Sequence, residues 1–249
     1  MATSFGALCS DFYVNQKLAL KMDLPSERET ILHFFEAARK SVPGLVNFRR
    51  FEGELALESS RKNHEYQWLS LQRTHIRTGH VNPQSMADAY KYHQLMLKLV
   101  PYHLTISPLD VDFQEVMFGF DLECKSNHDE IVFDALFGES PLADLVRFDG
   151  SKTLDVQPVF GVSLSEQGNL QAYFEVKTRR RSRRGNAARY KHEPISIFVS
   201  LRRYGAVVNL DDMIEHFADL SRTAETLATD RLVPELLMPI AREITSSSA

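Results

Sequence analysis

Cysteine is nearly missing from this chain: Cys9 and Cys124 are the only two in 249 residues. Two thiols this far apart build no disulfide framework and lack the spacing of a metal site. Glycine and proline are also few, 11 and 10 residues, which excludes collagen-like and low-complexity chains. No apolar run approaches the roughly 18 residues needed to cross a bilayer. The leading segment MATSFGALCSDFYVNQ places no basic residue before its short apolar stretch, so it does not read as a secretory signal. Together these absences lead to the expectation of a cytoplasmic protein with no membrane partner. Catalytic signatures are missing as well. There is no GxSxG, no P-loop, no GxGxxG and no HxH or HxxxH pair, and neither cysteine has a histidine nearby in sequence. No catalytic residue, cofactor or metal is therefore assigned, although a site assembled from distant positions stays open.

What is present is the composition of a soluble globular protein, 43% apolar and 25% charged. The length fits one large domain or two of about 120 residues. The charge is uneven. Residues 177–191 carry eight basic side chains and no acidic one: Lys177, Arg179, Arg180, Arg181, Arg183, Arg184, Arg189 and Lys191. The formal net charge is −4, so the rest of the chain carries −12. Like charges this dense repel, and no apolar period runs through them, so the stretch reads as a solvated arginine-rich hairpin loop. Guanidinium groups bind carboxylate and phosphate bidentately. The loop therefore suits an acidic protein surface, including the acidic body of a second copy, and hence self-association. Nucleic acid is the alternative partner, with Tyr190 able to stack on a base, though the acidic body opposes it. The run Arg-Arg-Arg-Ser-Arg-Arg also has the form of a nuclear import signal. A loop that only keeps the protein soluble is the plain reading.

Segments of the two halves match in the same order. Leu18–Met22, followed by Ser26 and Ile31, pairs with Phe118–Leu122, followed by Ser126 and Ile131. Trp68–Arg73 pairs with Phe198–Arg203, Asn82–Met86 with Asn209–Met213, and Leu99–Leu104 with Leu232–Leu237. The ordered matches predict an internal duplication, with a first repeat over 1–107 and a second over 108–249 that carries the arginine-rich insertion. The first and second pairs alternate with period two, as half-buried strands do. Ser26 with Glu29, and Asn127 with Glu130, have capping-box spacing; Asn82 and Asn209 are candidate N-caps. Helical spacing predicts helices near 27–41, 83–99, 128–138 and 210–230. Meander strands are expected at 53–59, 65–80, 156–165, 170–178 and 194–203.

The expected fold is α+β: a duplicated β-α-(β meander)-α unit whose two curved antiparallel sheets are backed by helices about a pseudo-twofold, folding as one cooperative unit. That order resembles the repeat of the TATA-box-binding-protein-like fold and a conserved uncharacterised bacterial family carrying two tandem repeats. The resemblance is one of architecture and implies no site residue.

Arg73 and Arg203 fall at matched positions, so they form a candidate anion clamp between the repeats, the third functional reading being an enzyme with a pocket there. His93 lies on the apolar stripe of its helix and is expected to be a hydrogen-bonded core residue. Asp121 and Glu123 fall on the strand face opposite Phe118, Phe120 and Leu122, where exposure to solvent is the expectation. Leu18, Leu20 and Met22 are expected in the core. The leading functional reading is a non-catalytic binding or assembly protein that contacts an anionic partner through the arginine-rich loop.

Overall fold

The computed structural model describes residues 4–61, 64–178 and 193–247. The fold is α+β, with a nine-stranded antiparallel sheet backed by helices. The strands are β1 (Asp11–Leu20), β2 (Leu45–Phe51), β3 (Glu54–Ser59), β4 (Tyr66–Gln72), β5 (His75–Val81), β6 (Val111–Leu122), β7 (Val159–Ser163), β8 (Leu170–Lys177) and β9 (Ile195–Tyr204). The helices are α1 (Arg28–Ser41), α2 (Met86–Leu104), α3 (His128–Phe137), the single turn α4 (Ala143–Val146), α5 (Asp212–Leu227) and α6 (Met238–Ser246).

The two sheets expected from the sequence are one continuous sheet of order β2-β3-β4-β5-β1-β6-β9-β8-β7. The join is the long antiparallel pairing of β1 with β6, in which Phe12 faces Phe120 and Val14 faces Phe118. On either side of this pair the meanders run outward, β5 to β2 on one flank and β9 to β7 on the other.

The differences from the sequence reading have local causes. The expected strand over 65–80 is the hairpin β4–β5, turning at Arg73 and Thr74 without the glycine or proline that marks most turns. Met22 is 67% exposed because the chain leaves β1 at Leu20; Asp110 then holds the Lys21 and Met22 backbone N–H groups in the bend. Ser26 makes no cap; α1 starts behind Glu27, without a side-chain cap bond. Asn127 caps α3 as expected, accepting from the Asp129 N–H while its amide reaches Glu130. Asn82 does not cap α2, which Ser85 caps. Asn82 instead takes a left-handed backbone (φ 49°) and ties Asp11 and the His64 carbonyl to the end of β1. Asn209 is likewise no cap, since α5 begins after Asp211. The final helix also runs longer than expected: α5 continues through wide π turns over Ala228–Leu237 into α6. Pro234 lies within those turns, where its missing N–H breaks the ordinary helical ladder.

Alternate side chains of every central strand face the helices. Phe12, Phe118, Phe120 and Phe217 are fully or almost fully buried there, with Phe5 edge-on to Phe120 at 5.6 Å between centroids. The core has two lobes, and each draws on both halves of the chain. Ala89 and Leu97 of α2 join the lobe built on β6, β8 and β9. Val207 and Met213 join the lobe built on β1, β4, α1 and α2.

His93 sits in this core, as expected, without exposure to solvent. Its ring nitrogens lie 2.7 Å from Thr78 Oγ1 and 3.2 Å from the Val14 carbonyl. Burial, with His80 nearby, pushes its pKa from 6.5 down to about 3. The folded state therefore binds its proton later than the unfolded chain does. Stability from this group is complete above about pH 6.5 and is lost as pH falls toward 3. We expect equilibrium unfolding followed between pH 7 and 4 to give a slope approaching about 1.4 kcal/mol per pH unit from His93. His93→Leu should flatten that slope without removing it, because His75, His80 and His216 are also shifted down by burial.

Candidate functional site on the helix-free sheet face

Among the described residues, the helices pack on one face of the sheet only, through α2, α5 and the π turns against β5, β6 and β9. The other face carries the alternate residues of each strand, and registered neighbours meet across it. One row runs Trp68, Gly79, Asn15, Met117, Ser200, Tyr173 and Gly161 from β4 to β7. The next runs Ser70, Arg77, Lys17, Glu115, Arg202 and Gln171.

Glycine decides how the aromatic residues lie. A Cβ at Gly79 would overlap the indole of Trp68, and one at Gly119 would overlap the ring of Tyr13. Both aromatics therefore lie flat over a neighbouring strand instead of standing off the sheet. Cations then stack on the rings. Arg77 lies 5.5 Å from the Trp68 centroid, Lys17 5.2 Å from Phe113 and Arg61 4.5 Å from Tyr66. Arg202 lies 4.9 Å from Tyr173 and 5.4 Å from Phe113, and Lys177 5.3 Å from Phe198. Such stacking holds a long cationic side chain in one place while leaving its N–H groups for another partner.

Two hollows lie side by side on this face. The larger, about 960 Å³, is walled by Tyr13, Tyr66, Trp68 and Arg61 and carries Asp11 and Asp121 at one end. The smaller, about 150 Å³, lies among Lys17, Arg77, His75, Glu115 and Met117, on strands from both halves of the chain. Asn15 lines both. It is 9% exposed, and its Oδ1 is buried without a hydrogen-bond partner. Ser70 Oγ, registered beside Arg77, is likewise buried and unpartnered.

The charges of the small hollow do not cancel. Glu115 is ion-paired with Arg202. Lys17 and Arg77 make no ion pair among the described residues. Partial burial lowers the Lys17 pKa, and the neighbouring Arg202 and Arg77 push the same way against Glu115. Burial first, then Lys17 and Arg77, lowers His75. Near the opposite end, where Cys9 packs against the core beside Phe5, burial and then Asp121 and Asp11 raise its thiol to about 12. The face is thus polar lengthwise, cationic at mid-sheet and acidic where β1 begins and β6 ends.

The residues singled out from the sequence are distributed as follows. Lys177 ends β8 on this face, 3.2 Å from Glu175. Arg179, Arg180, Arg181, Arg183, Arg184, Arg189 and Lys191 lie outside the described residues. Arg73 and Arg203 are not brought together. Arg73 is 83% exposed in the β4–β5 turn and pairs with Asp23 at 2.9 Å. Arg203 lies in β9 opposite Gln114, with β5, β1 and β6 between. Four strand spacings separate β4 from β9, about 19 Å, too far for one clamp. Asp121 is half-buried and accepts a hydrogen bond from the Tyr13 hydroxyl at 3.3 Å, so it is not simply a wet surface carboxylate. Sequence reasoning missed Lys17 and Arg77. The only signal for them was strand alternation, which placed Lys17 opposite the buried stripe of Leu18 and Leu20.

Among the described residues there is no group of three or more His, Cys, Asp or Glu side chains placed to hold a metal ion, and no helix is long and apolar enough to cross a membrane. No family model matches the chain, and no curated protein matches it. A solved structure described as the di-domain ARO/CYC BexL from the BE-7585A biosynthetic pathway aligns over 93% of this chain and 98% of its own, at 8% identity and a TM-score of 0.21. A likeness of that size carries no argument about fold or function.

Proposed function

We propose that this protein is a non-catalytic binding protein that engages an anionic partner on the helix-free face of its sheet, with the arginine-rich segment 177–191 extending the contact from the β8–β9 end. One observation carries the reading: Lys17 and Arg77 are held in place on aromatic rings, partly buried, and make no ion pair among the described residues. Cations without a partner in a low-dielectric setting favour an incoming anion. Single-stranded nucleic acid would satisfy the same surface, since flat rings between cations suit stacked bases and phosphates; an acidic protein segment would satisfy the cations alone.

The test is retention of an acidic polypeptide and of a short single-stranded DNA at low and high salt. Replacing Lys17 and Arg77 together with Gln should weaken retention at least about tenfold. Replacing Arg179, Arg180, Arg181, Arg183 and Arg184 with Gln should weaken it further while leaving the melting temperature nearly unchanged, as expected if this run of like charge takes no part in the core. Binding should fall steeply with added salt, as the field is screened within about 8–10 Å. Retention unaffected by the Lys17 and Arg77 replacements overturns the proposal.

Self-association is a second reading, favoured by β7. This edge strand exposes Val159, Phe160 and Val162, with no charge in the strand to discourage a pairing chain. It predicts a two-copy mass that persists in high salt and falls to one copy in Phe160→Lys.

A further inference from the structure

We infer that the two hollows form one binding groove for a phosphorylated planar heterocycle of nucleoside-monophosphate size, with the phosphate between Lys17 and Arg77 and the ring beside Trp68. The inference rests on the anion-binding reading above and adds to it a small-molecule ligand and its orientation.

Three features make the hollows one groove. Asn15 lines both, and Arg77 of the small hollow stacks on Trp68 of the large one. The small hollow holds the two cations that make no ion pair among the described residues, and it has room for one compact anion. The large hollow has the complementary character: three aromatic walls, Tyr13, Tyr66 and Trp68, and carboxylates at its far end. A flat ring fits such walls by stacking. Carboxylates accept hydrogen bonds and donate none, so the ring edge facing them must carry N–H donors. Asp11 Oδ1 is occupied by the Asn82 amide, and Oδ2 has no partner among the described residues. Between the two ends, the unpartnered Oδ1 of Asn15 offers a further acceptor. A buried amide oxygen with no partner carries a desolvation cost that a ligand donor removes.

Spacing agrees with polarity. Asn15 and Asp11 are four residues apart on β1, about 13 Å. That is the length available to a ribose with its base between the row of Asn15 and Trp68 and the carboxylates. Guanine, whose ring N–H and amino group sit side by side, matches a carboxylate edge best.

Trp68 is the only tryptophan in the chain, so its emission reports directly on the groove. Titration with GMP, followed by Trp68 emission and by calorimetry, should give saturable one-site binding. Guanosine and inorganic phosphate should each bind at least about tenfold more weakly than GMP. Lys17→Gln and Arg77→Gln should each weaken GMP about tenfold or more and leave guanosine unchanged. Arg73→Gln, an exposed arginine outside the groove, should change nothing, and circular dichroism confirms that each variant is folded. No saturable response to GMP at millimolar concentration overturns the inference, as does guanosine binding as tightly as GMP. If GMP fails while the acidic polypeptide or DNA is still retained through Lys17 and Arg77, the groove assignment falls and the broader binding function stands. If all fail together, both fall.

Discussion

Phe120→Ala should lower the free energy of unfolding by about 3–5 kcal/mol. Phe120 has no exposed surface and lies where β1 and β6 join the sheet, its ring 5.2 Å from Phe12 and 5.6 Å from Phe5. Removing it leaves a void at the centre of the core lobe that includes Phe118, Ile197 and Ile240. The backbone there is pinned by pairing on both sides, to Phe12 of β1 and Ile197 of β9, so the site has little freedom to collapse. Its neighbour Asp121 points to the other face, and Asp121→Ala should cost about 1 kcal/mol or less. Urea unfolding of the two variants checks the order. The reverse ranking would mean that the β1–β6 register is wrong by one residue.

The second large effect concerns the chain as a whole. Residues 1–107 and 108–249, expressed separately, should each fail to give a cooperative unfolding transition. The described contacts explain why. Separation cuts the sheet between β1 and β6, exposing two long central strand edges. It also removes Ala89 and Leu97 from one core lobe and Val207 and Met213 from the other. Tyr90 loses Glu225, which accepts its hydroxyl hydrogen bond at 2.6 Å. Calorimetry of the intact chain should show one transition, and mixing the fragments should restore part of it. A fragment that melts cooperatively alone would show that the lobes are energetically separate.

Much of the scaffold is legible in the sequence because it depends on short-range pattern. Alternation at Leu18–Leu20 and Phe118–Leu122 marks β1 and β6, the apolar stripe with His93 marks α2, and Asn127 with Glu130 marks the start of α3. The site is less legible because it depends on register. Lys17 meets Arg77 only because β1 pairs with β5 in one alignment, and meets Glu115 only through the pairing with β6. The turn at Arg73 and Thr74 hid β5 altogether, so the alternation of His75, Arg77 and Gly79 could not be assigned to a face. Arg73 and Arg203 misled for a related reason: the matched segments lie on β4 and β9, of which only β9 touches the central pair. The anion site proposed here draws on strands of both halves, as the expected clamp of Arg73 and Arg203 would have, but its cations are others.

Protection of Lys17 against amine acylation tests most directly whether the helix-free face is the contact surface. Burial lowers its pKa, so once the face is empty it should react more readily than an ordinary surface lysine. The protein is labelled with a short-chain acylating reagent as purified at low salt and again after a high-salt wash, with exposed Lys40 of α1 as the internal reference. The account predicts that Lys17 is protected several-fold at low salt, is released by the wash, and is protected again when the washed material is returned, while Lys40 labels equally throughout. Equal labelling of Lys17 before and after the wash, in a preparation that demonstrably carries bound partner, would place the contact elsewhere on the molecule and contradict the account.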